Sequence, residues 1–500
     1  MKEEKSVAKW LVLTTVIVGT FLGRLDQTIV NLALPKIISD FGITVSSAGW
    51  IATAYILANA MFVPIWGKLG DTIGRKRVYI YGFSIFIFGS VLAGFAWNFS
   101  SMIVFRVIQA IASSADYPTA MAILAVTFAP GKERARALGI WSSSFAAASV
   151  FGPLIGGTMI DTFGWRSIFL INLPVGLIGL GMALVFIRES VSEKKTVMFD
   201  WWGATMLGAA LSSMVLVLDK GLGWGWLSAE SLFCYAAVAI FGFLFYRIER
   251  DHPEPIVDLK FFKIPLFVNA LANNFVIFVG LMGSMFLIPI FAQTFLGYNA
   301  TQTGMLFIPM AACMMLAAPI GAAMIGKVKG SMVIFWSTLG TAFAIYLYSF
   351  IDPRTTALEL MVPLAIMAIM MGLGMPQRTA VVAAAVPQNE IGVASAILAL
   401  VRNTAGAFGI ALFGTVLQYS EESHLVSTAA HSVIRSTNPT IIAQGIALIE
   451  LKSQVSAYGD VFMFAAVFIA AGAALSLFMK MDYEHVPPSQ EQEEALLMAE

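Results

Sequence analysis

The sequence predicts an all-α integral membrane protein, and three observations carry that prediction. Of its 500 residues, 58% are hydrophobic and only 12% charged, and the mean hydropathy of +0.82 lies far outside soluble usage. Apolar runs recur from end to end, about fourteen of them, each near the ~20 residues that cross a ~30 Å hydrocarbon core. The runs are continuous, without the alternation of barrel strands, so the backbone must satisfy its own hydrogen bonds as helices.

In chain order the spans fall at about 10–34, 48–66, 78–97, 102–127, 136–160, 167–187, 201–219, 229–248, 266–292, 301–325, 331–350, 361–382, 393–417 and 459–480. Lys2, Lys5 and Lys9 precede Trp10 without a small-residue cleavage site, so the first span reads as an uncleaved helix rather than a signal peptide. Basic residues orient the bundle. Lys68, Arg75 to Arg77, Lys132, Arg134, Arg136, Arg188, Arg247, Arg250, Lys327, Lys329 and Arg378 fall with the N-terminus, whereas the other side holds few, among them Lys36, Arg166 and Lys220. The positive-inside rule then puts both termini in the cytoplasm.

The spans are expected in a 6+2+6 arrangement. GKLGDTIGRKR at 67–77 links spans two and three, and a weaker echo, GKVKG at 326–330, links spans ten and eleven; such internal repeats mark secondary transporters. The expected divisions are an N-terminal six-helix bundle at 1–187, two extra spans with linkers at 188–263, and a C-terminal six-helix bundle at 264–480. The last contains a long external loop at 418–458, and an acidic cytoplasmic tail follows at 481–500.

Several function classes are excluded. The formal net charge is zero and no basic stripe exists to neutralise phosphates, so no nucleic-acid partner is expected. Cys234 and Cys313 fall in or beside apolar spans and imply no disulfide framework. His252, His424, His431 and His485 all lie outside the spans, and no HExxH, GxSxG or Walker sequence is present. GAAMIGK at 321–327 is followed by Val328 and lacks the magnesium-binding hydroxyl. No enzyme, metal or cofactor is expected, and ion coupling is favoured over ATP hydrolysis.

Charged residues inside spans carry the functional signal. Arg24, Asp26, Arg106, Asp116 and Arg402 sit where an ionisable group costs about 2.5–3.5 kcal/mol on insertion scales, so they mark a substrate path, proton relay or coupled gate. In the fourth span Arg106, Gln109, Ser113 and Asp116 are three, four and three apart and fall on one helical stripe. The bland alternative is a hydrogen-bonded core, but two charges exceed what packing needs. Asp26 lies about sixteen residues from the inner end of its span and Arg106 about four from the outer end of an oppositely running helix, which puts both at similar depth in the outer half and makes an ion pair feasible. Arg24, Gln27, Thr28 and Asn31 share a face roughly opposite Asp26. Either both faces of the first helix are buried, or Gly19 and Gly23 distort it.

LDQTIVNLALP at 25–35, GKLGDTIGRKR at 67–77, RVIQA at 106–110, GPLIGG at 152–157 and WRSIFLINLP at 165–174 together resemble the fourteen-helix drug:proton antiporters of the major facilitator superfamily, the EmrB/QacA type. The resemblance covers most of the chain and implies a proton-coupled exporter working by alternating access. It implies that Asp26 is the proton-coupling acid and that Arg106 takes part in proton handling; Asp116 is not in the usual pattern and rests on geometry alone. Arg24 replaces an apolar residue and is a rival partner for Asp26. The resemblance also implies a cytoplasmic gate at Gly67, Gly70, Asp71, Gly74, Arg75, Lys76 and Arg77, with Asp71 docking on span thirteen, and an antiporter seal at Gly152, Pro153, Gly156 and Gly157. In the second half Arg402, with Asn403, Gly406 and Gly409, reads as structural rather than substrate-facing. Arg24, Gln27, Asn31, Gln109 and Ser113 are the candidate substrate-cavity residues.

The cargo is expected to be a lipophilic or amphipathic small molecule exchanged for protons. Spans of the second half, from 266 to 417, contain no acidic residue, which makes divalent cations a poor fit, while Arg24, Arg106 and Arg402 against Asp26 and Asp116 admit neutral or anionic amphiphiles. The alternative is the same machine devoted to one endogenous metabolite, lipid or siderophore. The expected setting is a bacterial cytoplasmic or inner membrane, with the chain a monomer among lipid; a host with two membranes would add a periplasmic adaptor.

Overall fold

The computed structural model describes residues 2–128, 132–190, 200–253, 255–387, 391–432 and 438–479. Among them every regular element is helical: α1 (Lys2–Phe41), α2 (Val45–Ile73), α3 (Arg75–Gly94), α4 (Phe99–Ser113), α5 (Asp116–Thr127), α6 (Lys132–Phe163), α7 (Ser167–Leu170), α8 (Asn172–Phe186), α9 (Trp201–Trp224), α10 (Ala229–Asp251), α11 (Pro265–Phe295), α12 (Ala300–Leu306), α13 (Ile308–Ala323), α14 (Gly330–Leu347), α15 (Ala357–Ala384), α16 (Ile391–Ala430) and α17 (Pro439–Leu477). The acidic segment 481–500 lies outside the described residues. Eleven of these helices or helix pairs are long and apolar enough to cross a membrane. The chain is therefore a multi-pass membrane protein. α1, α4 with α5, and α6 are not among the eleven, yet they pack with them: α1 lies against α6, α8 and α11, and α4 between α2 and α3.

Three spans that read as unbroken in sequence are bent. α4 gives way to α5 at Ser114 and Ala115, α7 to α8 at Ile171, and α12 to α13 at Phe307, and all of these joints keep right-handed helical dihedrals. Each resumed helix carries a proline in its first turn: Pro118, Pro174 or Pro309. A proline has no N–H for the carbonyl four residues back, and its ring crowds that carbonyl, so the helix kinks just upstream.

The segment 67–77, expected as a loop, is instead two helix ends. α2 runs to Ile73, α3 begins at Arg75, and only Gly74 separates them, at φ +112°, a backbone conformation that favours glycine. The stretch 418–458, expected as an external loop, is helical over most of its length. α16 continues to Ala430, and α17 starts at Pro439 behind the Asn438 cap. His424 Nε2 meets Asp460 Oδ2 at 2.7 Å, and Ser420 hydrogen-bonds the same carboxylate, so α16 and α17 are bonded to one another beside these extensions.

Of the apolar window of α11, 72% is buried, against 11% for α10, which places α11 at the centre and α10 at the lipid-facing edge. α9 and α10 pack on each other, and α9 is the one that anchors the pair. Its buried Asp219 accepts a bond from Trp50 Nε1 at 2.7 Å and one from Ser46, both on α2. The neighbouring Leu218 carbonyl accepts from Thr415 of α16 at 2.5 Å.

At the end of the bundle where α1 finishes, the first eight helices close against the last seven. A β-carbon on Gly157 of α6 would come within 2.5 Å of the Ala300 carbonyl of α12, so only glycine permits this approach. Asp161 then accepts from the backbone N–H of Ala300 at 3.1 Å, from that of Thr301 at 2.8 Å and from the Thr301 hydroxyl at 2.7 Å. Gln293 of α11 donates to the Leu32 carbonyl of α1 at 2.9 Å. Asp161→Ala removes the carboxylate from the start of α12 and should weaken this seam by about 0.5–2 kcal/mol. The expected result is faster labelling of a cysteine placed at Thr28 by an impermeant maleimide added from that end; unchanged labelling would show that the seam does not depend on Asp161.

Candidate functional site

The site forms where α1, α4 and α8 meet. Asp26 is 2% exposed and Arg106 is 1% exposed, and Arg106 Nη1 donates to Asp26 Oδ2 at 2.6 Å. Gln109, one turn along α4, donates to Asp26 Oδ1 at 2.9 Å and accepts from Arg106 Nη1 at 2.7 Å. Asn172, at the start of α8, donates to the same Oδ1 at 3.3 Å and to Ser90 of α3 at 2.8 Å, and Ser90 donates to the Phe169 carbonyl at 2.9 Å. The guanidinium lies over the Tyr55 ring, 4.1 Å from its centroid. Two charges can leave water together only when their remaining hydrogen-bonding capacity is met, and here three helices besides α1 meet it.

α1 is continuous through Gly19 and Gly23, so burial of both its faces is what the structure contains. Asp26 looks toward α4 and α8. On the other side Arg24 bonds Gln27 at 3.1 Å, Thr28 packs on Gly152, and Asn31 is half-buried. Arg24 lies within electrostatic reach of Asp116.

The kink at Ser114 splits the expected stripe of the fourth span. Arg106 and Gln109 face Asp26, but the Ser113 hydroxyl accepts from Tyr55 at 2.7 Å and from Asn59 at 2.9 Å, both on α2. Past the kink, Asp116 faces α1 and α3 instead, near Thr20, whose hydroxyl accepts from Trp141 Nε1 at 3.0 Å. It borders a cavity of about 20 Å³ shared with Gly19, Gly23, Tyr79 and Ser113, a volume that suits one water molecule. The two acids therefore occupy separate environments.

In the expected gate, the side chains of Lys68 and Asp71, and the surroundings of Gly67, lie outside the described residues. The anion found at the start of α3 is Glu189, which accepts from the backbone N–H of Lys76 at 3.0 Å and of Arg77 at 3.2 Å. Lys76 Nζ reaches the Leu184 carbonyl at 2.7 Å, and the Arg75 N–H reaches the Ser190 carbonyl at 3.1 Å. An anion at a helix N-terminus is favoured by the helix dipole. Gly70 packs on Thr119. Of the expected seal residues, Gly152 and Gly156 pack on Thr28 and Ile29 of α1, and Gly157 and Pro153 meet α12 at Ala300 and Gly304.

Arg378, counted with the basic loops in sequence, is 1% exposed inside α15. Loop counting uses distance along the chain and is blind to burial. Its Nε donates to Asn273 of α11 at 2.9 Å, and its Nη2 donates to Ser337 and Thr338 of α14 at 3.1 and 2.7 Å. Arg402 is half-exposed; its Nε donates to Asn274 at 3.1 Å and its Nη2 to Thr379 at 3.2 Å. Sequence reasoning also missed Asn172, Ser90 and Tyr55 around Asp26. The signal for Asn172 was its lone amide in the apolar run of WRSIFLINLP.

Residues 16–410 match the family model of the Major Facilitator Superfamily. The multidrug transporter protein MdtP of Bacillus subtilis (strain 168) is 30% identical, with 99% of this chain and 98% of that protein covered. The riboflavin transporter RibZ of Clostridioides difficile (strain 630) is 28% identical, with 89% and 96% covered. Among solved structures, a bacterial homolog of the human lysosomal transporter Spinster, inward-facing and occupied, superposes with a TM-score of 0.66 at 18% identity, covering 94% of this chain and 96% of that one; that likeness concerns the fold alone.

Because Asp26 and Arg106 each satisfy the other, removing one leaves a buried charge. Arg106→Ala should lower stability by about 3–5 kcal/mol, whereas the paired change Asp26→Asn with Arg106→Gln should recover most of it. Thermal unfolding of the purified variants tests this, and additive losses in the double variant would contradict it.

Proposed function

Since the chain belongs to the Major Facilitator Superfamily and is a membrane transporter rather than an enzyme, we propose that it is a proton-coupled antiporter that exports lipophilic or amphipathic small molecules by alternating access. The observation that carries this reading is the Asp26 carboxylate, held by Arg106, Gln109 and Asn172 in the interior of a membrane bundle. Ionised, Asp26 ties α1 to α4 and α8. Protonated, it no longer balances Arg106, so proton arrival loosens the contact between these helices and proton departure restores it. A proton carried inward thus changes the packing that cargo needs in order to leave.

Around this centre the reading places fourteen spans as 6+2+6, with both termini cytoplasmic. It is supported by adding α1, α4 with α5, and α6 to the eleven candidate spans, and by the excess of basic residues on one side. Asp116 serves as a second proton site in its own water-sized cavity. Gln27, Asn31 and Ser113, with Arg24 and Gln109, line the cargo route. Gly67 to Arg77 act as the cytoplasmic gate, and Gly152, Pro153, Gly156 and Gly157 as the seal against leak. The protein acts as a monomer, with a periplasmic adaptor only where the host has two membranes. The second reading, one dedicated metabolite, is favoured by the likeness to a riboflavin transporter.

Proteoliposomes holding an imposed pH gradient and challenged with unrelated lipophiles test the proposal. Several compounds should release protons through the wild type, and Asp26→Asn should abolish that release while the protein still inserts. Transport that survives collapse of the proton gradient would overturn proton coupling. Response to a single compound class would select the dedicated exporter.

A further inference from the structure

Charge inside the membrane balances in one half of the molecule and not in the other. Among the first eight helices, Asp26 is paired with Arg106, and Asp116 lies within electrostatic reach of Arg24. Among α11 to α17, Arg378 and Arg402 are bonded only to neutral amides and hydroxyls. The two are neighbours: Arg378 uses Asn273 where Arg402 uses the adjacent Asn274, and Arg402 bonds Thr379, next to Arg378 in the chain. Their like charges repel one another.

Among the described residues neither arginine forms an ion pair with an acid. α11, α13 and α14 carry no acidic residue. Glu359 stands 19 residues before Arg378 on α15 and Glu421 stands 19 after Arg402 on α16, each about 28 Å away along an ideal helix. Asp460 of α17 contacts Ser420 and His424, at the same far end. Arg106 has its counterpart in Arg378, since each lies on the fourth span of its half and bonds a side chain on the first. In the first half that side chain is the carboxylate of Asp26; in the second it is the amide of Asn273.

One donor remains open. Arg378 Nη1 is buried without a hydrogen-bond partner and occupies the space beside Gly374 where a side chain would project. Arg402 is partly exposed, its partner Thr379 is exposed, and the Phe278 ring centroid lies 5.3 Å from the guanidinium carbon. An arginine is not left against lipid hydrocarbon, so this open side faces water or cargo. Arg402 Nη1 makes no hydrogen bond among the described residues, and with Phe278 beside it and no acid paired to it there, this guanidinium matches an anion on a lipophilic body.

We propose that Arg402, backed by Arg378, is an anion-recognition site, and that the cargo class it selects is an amphiphile bearing a carboxylate, sulfonate or phosphate group. This rests on the exporter reading above and narrows it: the acid of α1 handles the proton, and the arginines of α15 and α16 handle the cargo's charge. It assigns to Arg402 a cargo contact in place of the structural role expected from sequence.

The test uses two fluorescent probes with the same lipophilic body, 1-anilinonaphthalene-8-sulfonate and its uncharged parent N-phenyl-1-naphthylamine, bound to the full chain in phosphatidylcholine nanodiscs with empty discs as blanks. The wild type should bind the sulfonate at least about tenfold more tightly than the parent. Arg402→Gln should bring the two within about twofold and leave the parent's affinity unchanged, while Arg402→Lys retains part of the preference. Arg378→Gln should act in the same direction; if it does not fold, Arg402→Gln with an unshifted Tm carries the test alone. Equal affinities in the wild type, or a preference untouched by Arg402→Gln, would overturn the proposal. In phosphatidylglycerol discs, loss of sulfonate binding would identify a lipid headgroup as the resident anion, and unchanged binding would identify free cargo. Should only the anion site fail, proton release driven by neutral lipophiles would persist and remain sensitive to Asp26→Asn; loss of that release would sink the exporter reading instead.

Discussion

The burial of Asp26 against Arg106 is the constraint on which the first half of the molecule depends. Two opposite charges at 2.6 Å, removed from water, are tolerated only while every neighbouring donor and acceptor is in place. That requirement fixes the rotation of α1, α4 and α8 about their axes, brings Ser90 of α3 into the same network, and lays Tyr55 of α2 over the guanidinium. The same pair is the weak point of the design. Neutralising one member removes most of what holds it, which is the property a proton-driven switch needs.

The rest of the architecture separates rigid contacts from movable ones. Prolines at 118, 174 and 309 follow the breaks in three spans, while glycines in α6 let α1 and α12 approach at one end of the bundle. Asp161 caps α12 across that seam, and Asp219 docks α9 against α2. The Asp26–Arg106 pair, the Asp161 seam and the two arginines of α15 and α16 are thus distinct regions joined by α1 and α11.

Much of this was legible in the sequence, for identifiable reasons. Hydropathy and continuous apolar runs gave the helical membrane class, and equal depth on opposed helices anticipated the meeting of Asp26 with Arg106. Local spacing failed where the backbone departs from an ideal helix. The stripe of Arg106, Gln109, Ser113 and Asp116 assumed a straight span, and Pro118 sends Asp116 into a different cavity. Partners distant in the chain were invisible, as with Asn172, 146 residues from Asp26, and Glu189, more than a hundred residues from the helix start it caps. Arg378 was read as a loop cation because sequence reports that a residue is basic and near a span end, but not that it is buried.

The central claim is that Asp26 exchanges its ion pair for a proton during the cycle. Infrared difference spectroscopy on the reconstituted chain, comparing cargo-bound and cargo-free states across a pH step, reads this directly. The account predicts a protonated-carboxyl band that appears in one state, shifts in deuterated water and is absent from Asp26→Asn. A spectrum in which that band persists in Asp26→Asn, or in which the Asp26 carboxylate stays ionised throughout, would contradict it.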